Sequence, residues 1–209
     1  MTTKTTNVLL AGVGGQGTLV ASETLALAAL FEGLKAKQSE VHGVAQRGGS
    51  VVSHVRFGEE VYSPLIRCGE VDVLFASERL EALRYAHYVK SGGFVAMDNR
   101  AIKPIQMPGV EETPYPEDVP QFLRKKGYIV RVVPAIETAI ELGDKRCANV
   151  VLLGALSDQL PLSEESWQAA LKHRFPQKIL DLNRRAFAEG KRLAEETAAQ
   201  ARSSAAGDA

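Results

Sequence analysis

The 209-residue chain reads as an α/β protein on three observations. Short apolar, β-branched runs alternate with stretches of helical period. The first of those runs breaks into glycines that open a helix, and a later run, SVVSHVRFG, alternates with a period of two. Alternating strands and helices imply a mostly parallel sheet with helices on both faces, and the period-two run implies an antiparallel hairpin insert. Together they predict a single Rossmann-like domain over residues 1–200, with 201–209 left as a tail.

Residues 7–11 (NVLLA) form a buried strand bounded by Gly12, and residues 18–30 place Leu19, Val20, Leu25, Ala26, Ala29 and Leu30 at helical spacing, with Gly33 as the stop. Residues 34–38 supply a second strand. A polar segment, 39–49, then leads into the period-two strand, for which EEVYSPLI is the expected hairpin partner. VDVLFAS is the next buried strand, 78–90 a helix, and GFVAMDN a strand introduced by Gly92 and Gly93. Residues 104–120, rich in proline and acid, form a loop or irregular crossover. After it come the strand YIVRVVPA, a helical stretch at 136–142, the buried helix CANVVLLGALSDQL and a helix capped by Ser163. An amphipathic helix over 176–200 closes the domain.

Composition excludes several functions. Lys+Arg and Asp+Glu stand at 25 each, so no net field favours nucleic acid or an anionic membrane. Cys68 and Cys147 are isolated, so neither a disulfide framework nor a zinc or iron–sulfur site is expected in this chain, and no metal ligands are assigned. No segment approaches the ~20 apolar residues of a membrane span. The expectation is a cytoplasmic protein.

The turn Gly12-Val13-Gly14-Gly15-Gln16-Gly17 satisfies G-x-G-x-x-G and lies where that pattern has a mechanism, after a strand and before a helix. Glycine lets the backbone approach an anion, and the helix start offers free N–H groups to phosphate. Glu40 stands at a suitable distance for the ribose-binding acid of a dinucleotide site. Yet Glu40 is followed by His42, Gln46 and Arg47 and then by a hairpin, not by the helix of a Rossmann unit, so a free-standing Rossmann-like oxidoreductase using NAD(P) or flavin stays open beside a tight turn whose glycines only pack.

The second polar turn gathers Glu40, His42, Gln46, Arg47, Gly48, Gly49 and Ser50. A catalytic apparatus built only from His42, Gln46 and Arg47 lacks a nucleophile, a metal or a partner carboxylate beyond Glu40, so no catalytic residue is assigned. An Arg beside a Gly pair does suit a phosphate or carboxylate. Taken together, GVGGQGTLVASETLA, SEVHGVAQRGGSVVSHVRFG and VDVLFASERLEALR resemble the small (beta) subunit of indolepyruvate:ferredoxin oxidoreductase, the gamma-type domain of the pyruvate:ferredoxin oxidoreductase superfamily, over most of residues 5–190. Gly12, Gly14, Gly15, Gln16 and Gly17 match that family's glycine motif. Glu40, His42, Gly43, Gln46, Arg47, Gly48, Gly49 and Ser50 match its second motif, with Val44 where members often have Met.

The resemblance implies a two-subunit enzyme that oxidatively decarboxylates aryl 2-oxoacids to acyl-CoA and passes electrons to ferredoxin. It implies that thiamine diphosphate, Mg and the iron–sulfur clusters belong to the large (alpha) subunit, that coenzyme A is a co-substrate, and that the isolated small chain is inactive. The two turns are then expected to meet at the carboxyl edge of the sheet and contribute anion contacts. A purely structural assembly subunit is the remaining alternative.

Overall fold

The computed structural model describes residues 5–42, 49–103 and 114–207. Among them, six strands form one sheet in the order β2-β3-β1-β4-β5-β6: β1 (Thr6–Val13), β2 (Lys35–His42), β3 (Ser50–Gly58), β4 (Val71–Ala76), β5 (Val89–Asp98) and β6 (Ile129–Val133). The β1–β4, β4–β5 and β5–β6 pairs are parallel, while β3 runs antiparallel to both β1 and β2. This is the α/β, mostly parallel sheet expected from the sequence.

Helices cover both faces, and the period of two in β1 shows why. Val8 and Leu10 point to one side, where Ala21, Leu25 and Ala28 of α1 (Thr18–Phe31) pack with Val150 and Leu153 of α5 (Ala148–Leu156). Leu9 and Ala11 point to the other, where they meet Ala82 of α2 (Arg79–Tyr85) and Leu123 of α3 (Val119–Lys125). All four β1 side chains are fully buried, the signature of a central strand. Helix α1 stops at Gly33, whose positive φ of 84° lets its N–H reach Leu30 O while Leu34 N–H reaches Ala29 O, both at 3.0 Å.

Four local expectations are corrected. The segment EEVYSPLI is not a strand: β3 already has β2 on one edge and β1 on the other, and a strand has only two edges. That segment is instead held by side chains, with Arg56 Nη1 donating to Ser63 O (3.0 Å) and Leu65 O (3.3 Å) and Ile66 N–H to His54 Nδ1 (3.2 Å). The hairpin partner of β3 is β2, which runs on to His42 because Ser39, Glu40, Val41 and His42 pair with His54, Ser53, Val52 and Val51. The helix expected over 78–90 ends at Tyr85 in a 3-10 turn (Ala86–Tyr88), since Val89 is drawn into β5 opposite Val71. Within the expected loop 104–120, residues 104–113 lie outside the described residues, and α3 begins at Val119. There the Asp118 carboxylate accepts Gln121 N–H (3.4 Å) and proline occupies the first turn, where its missing N–H costs nothing.

The remaining helices are α4 (Ala135–Glu141), α6 (Glu164–Arg174) and α7 (Gln177–Gly207). The Ser163 hydroxyl caps α6 by accepting Ser166 N–H at 3.3 Å, as its sequence signal indicates. Helix α7 continues beyond residue 200 to Gly207.

Candidate functional site

The connection from β1 through α1 leads to one side of the sheet and that from β4 through α2 to the other, so the carboxyl ends of β1 and β4 flank a topological switch point, where open α/β sheets hold ligands. The glycine turn lies there. Gly15 (φ 92°) and Gly17 (φ 77°) adopt the left-handed region that favours glycine. Gly12 has a different reason: near the end of β1 it lies between Ser77 and Thr18, and a Cβ there would overlap both hydroxyls. Gly17 is the N-cap of α1 and offers no side chain to the helix, whose first turn also carries no acid. Among the described residues no side chain caps the N–H groups of that turn, which leaves them to meet a ligand.

The two turns do meet. Gly14 N–H donates to Gly49 O at 2.8 Å, and Val13 pairs with Ser50 in the β1–β3 register. The Ser50 hydroxyl donates to the Glu81 carboxylate of α2 and lies 3.1 Å from the Tyr85 hydroxyl. Gln16 Oε1 accepts from the Ser77 hydroxyl at the end of β4, and Ser77 N–H donates to Ala11 O at 2.9 Å. Three loops are thus laced into one edge.

Two carboxylates are buried under it. Glu78, 1% exposed, caps α2 by accepting Leu80 N–H (2.7 Å) and Glu81 N–H (3.1 Å), and it also accepts Ile102 N–H (2.9 Å) and the Tyr115 hydroxyl. Glu81, 2% exposed, is bridged by Arg84 at 2.7 Å. Burial pushes its carboxyl above the ordinary range and the Glu78 charge adds to that, while the Ser50 hydroxyl and Arg84 oppose it.

On the α1 and α5 side of the glycine turn opens a cleft of about 530 Å3. Its walls are Gly15, Gln16 and Gly17, the start of α5, and Ile179 and Leu182 of α7; Arg100, Lys145, Arg146 and Arg174 line it, with Asp144 as the acid among its described lining residues. Arg100 is held by Asp98 (2.9 Å), Arg174 by Glu23 (2.7 Å), and Arg146 by Asp144 (2.6 Å), whose carboxyl is lowered to about 2 chiefly by the Arg146 hydrogen bonds. Asn149, 5% exposed, donates to Gly17 O at 2.8 Å, and its buried Oδ1 has no partner among the described residues. The cleft therefore offers cationic side chains and the N–H groups of a helix start. Such a set suits a phosphorylated ligand.

The expected site residues divide as follows. Gly12, Gly14, Gly15, Gln16, Gly17, Gly49 and Ser50 converge at this edge. Glu40 does not: β3 separates its strand from β1, and its carboxylate accepts the Ser53 hydroxyl at 3.2 Å, so it cannot serve as the ribose acid beside the glycine turn. His42 ends β2 opposite Val51. Gln46, Arg47 and Gly48 lie outside the described residues. Sequence reasoning missed Ser77, Glu81, Tyr85, Arg100 and Asn149. The available signals were the polar Ser77-Glu78 pair ending an apolar strand and one Asn in an otherwise apolar helix.

A family model of pyruvate ferredoxin/flavodoxin oxidoreductase matches residues 7–193. The chain belongs to that family. Among curated relatives, indolepyruvate oxidoreductase subunit IorB of Thermococcus kodakarensis is 41% identical over 194 residues, covering 91% of this chain and 96% of the relative. IorB of Archaeoglobus fulgidus is 39% identical over 187 residues, covering 88% and 92%. The gamma subunit of a keto/oxoacid ferredoxin oxidoreductase from Geobacter sulfurreducens superposes with a TM-score of 0.69 at 27% identity, over 91% of this chain and 99% of that one. A 2-oxoglutarate:ferredoxin oxidoreductase from Magnetococcus marinus, solved with 2-oxoglutarate, coenzyme A and succinyl-CoA bound, does so with 0.71 at 26% identity, over 92% of this chain and 31% of that one. The family membership and the oxidoreductase-subunit reading expected from the two motifs stand together with the fold.

Proposed function

We propose that the chain is the small subunit of a thiamine- and ferredoxin-dependent 2-oxoacid oxidoreductase of the indolepyruvate type, which with its large subunit converts an aryl 2-oxoacid to its acyl-CoA. The observation that carries this is identity of about 40% to IorB subunits over nearly the whole of both chains. In this reading thiamine diphosphate, Mg and the iron–sulfur clusters reside in the large subunit, which selects the 2-oxoacid, and ferredoxin takes the electrons from the assembled complex. We place the complex in the cytoplasm. Cys68 and Cys147 are free thiols, the state a reducing compartment maintains.

The part assigned to this chain is coenzyme A. Its phosphates suit the Gly15–Gly17 backbone and the Arg100, Lys145, Arg146 and Arg174 side chains. Arg47 and the rest of the second turn are proposed as further contacts to coenzyme A or to the large subunit. The test is reconstitution: the two chains together should reduce ferredoxin on addition of indolepyruvate and coenzyme A, and neither alone should do so. Activity of the isolated chain with NAD(P)H, or a reconstituted enzyme indifferent to coenzyme A, would contradict the reading.

A further inference from the structure

Glu81 is a costly residue. A carboxylate 2% exposed loses most of its hydration, and only donors that hold the group offset that loss. Its two donors among the described residues differ in kind. Arg84, three residues along the same helix, remains nearly half exposed and supplies charge. The Ser50 hydroxyl comes from another part of the fold: Ser50 begins β3, and β1 lies between β3 and β4, so the Ser50–Glu81 bond spans β1 above the sheet's carboxyl edge. Tyr85, one turn along α2, contacts the same hydroxyl at 3.1 Å. Helix α2 thus grips the first residue of β3 with two side chains.

That grip has a direct route to the glycine turn. The residue before Ser50 is Gly49, whose carbonyl accepts Gly14 N–H at 2.8 Å. Gly14 has no side chain with which to hold itself, and its backbone leads into the two positive-φ glycines that shape the turn. On the other flank the turn is tied to the end of β4 through Gln16 and Ser77. We propose that Glu81 is the positioning residue of the glycine turn: through the Ser50 hydroxyl it fixes the Gly49–Ser50 backbone, and through Gly49 O it fixes Gly14, without itself meeting a ligand. This rests on the assignment of coenzyme A to that turn for its kinetic consequence, but not for its structural one.

The experiment uses the full-length chain, alone and reconstituted with the large subunit, as Glu81→Ala, Glu81→Gln, Ser50→Ala and the Glu81→Ala/Ser50→Ala double variant. In the chain alone, hydrogen exchange of Gly14 to Gln16 should quicken in both alanine variants, and the double variant should be no worse than either single, because one linkage is being cut twice. Glu81→Gln keeps an oxygen that accepts from Ser50 and should restore most of the protection. In the reconstituted enzyme the KM for coenzyme A should rise by roughly five-fold, the scale of one lost hydrogen bond, and by more than kcat falls. Unchanged exchange at Gly14 to Gln16, additive effects in the double variant, or faster exchange spread evenly over the chain would each overturn the proposal. Should Glu81→Ala fail to fold, Ser50→Ala and Glu81→Gln carry the same comparison. A reconstituted wild type that ignores coenzyme A would sink the functional reading alone, since the exchange result still decides whether Glu81 positions the turn.

Discussion

At the scale of single residues the glycines show how far a local pattern can be read. Gly17 needs both its φ and its space: in Gly17→Ala a methyl group would take on a left-handed conformation and meet Asn149 Nδ2 at 2.6 Å. Gly33 has a similar φ of 84° but nothing within 4 Å of the added carbon. Gly33→Ala should therefore cost only the conformational penalty, about 1–2 kcal/mol, and Gly17→Ala distinctly more; equal losses in denaturant unfolding would show that the Asn149 contact gives way freely. Charge supplies a second test. Asp98 is 1% exposed, and burial raises its carboxyl although Arg100 pulls the other way. A carboxyl that holds its proton more tightly in the folded state costs stability as pH rises through its unfolded value, about 3.9, and on until the folded value is passed. Asp98→Asn removes that slope, so its stability relative to the native chain should climb from about pH 4 towards neutrality. A difference that stays flat or falls in unfolding curves across that range would refute the sign.

At the scale of elements α5 and α7 pack backbone to backbone at two glycines. Added Cβ atoms at Gly154 and Gly190 would run into the backbone of the opposite helix, at Phe187 and Val151 respectively. Replacing glycine by alanine inside an exposed helix gains up to about 1 kcal/mol. Here the sign should reverse: Gly190→Ala should destabilise by about 1–3 kcal/mol, because a well-packed crossing must open to admit the methyl group. A variant as stable as the parent in thermal or denaturant unfolding would mean that the two helices move apart at little cost. Neither glycine is marked in the sequence as a contact point; both look like ordinary weak spots in a helix. The cap of α6 is the contrasting case. Its Ser163 signal is local and the cap forms as read, yet Glu32, 131 residues away, also binds that serine, which no local pattern announces.

At the scale of the molecule β2 is an edge strand, and Val41 near its end is 51% exposed, beside the segment that carries the second motif. If this edge faces the large subunit, backbone hydrogen exchange over Val41 to Val55 should slow when the complex forms; unchanged protection there would move the interface elsewhere. The isolated chain should also be colourless and inactive. A visible absorption band with stoichiometric iron in the pure protein would overturn the division of cofactors between the subunits.

Sequence alone determined what depends on a few neighbouring residues. Apolar runs and their period name the strands, the glycine pattern between a strand and a helix names the turn, and the two motifs together name the family. Only the tertiary structure decided which strand lies beside which, and so which residues reach the site. The order β2-β3-β1 denies EEVYSPLI a place in the sheet, carries Glu40 away from the glycine turn, and brings Ser50 within reach of Glu81. The physical reason is that φ preference and hydrophobic period act over a few bonds. Strand pairing and the burial of a carboxylate depend on competition among segments far apart in the chain, and its outcome is settled only when the whole sheet has been assembled.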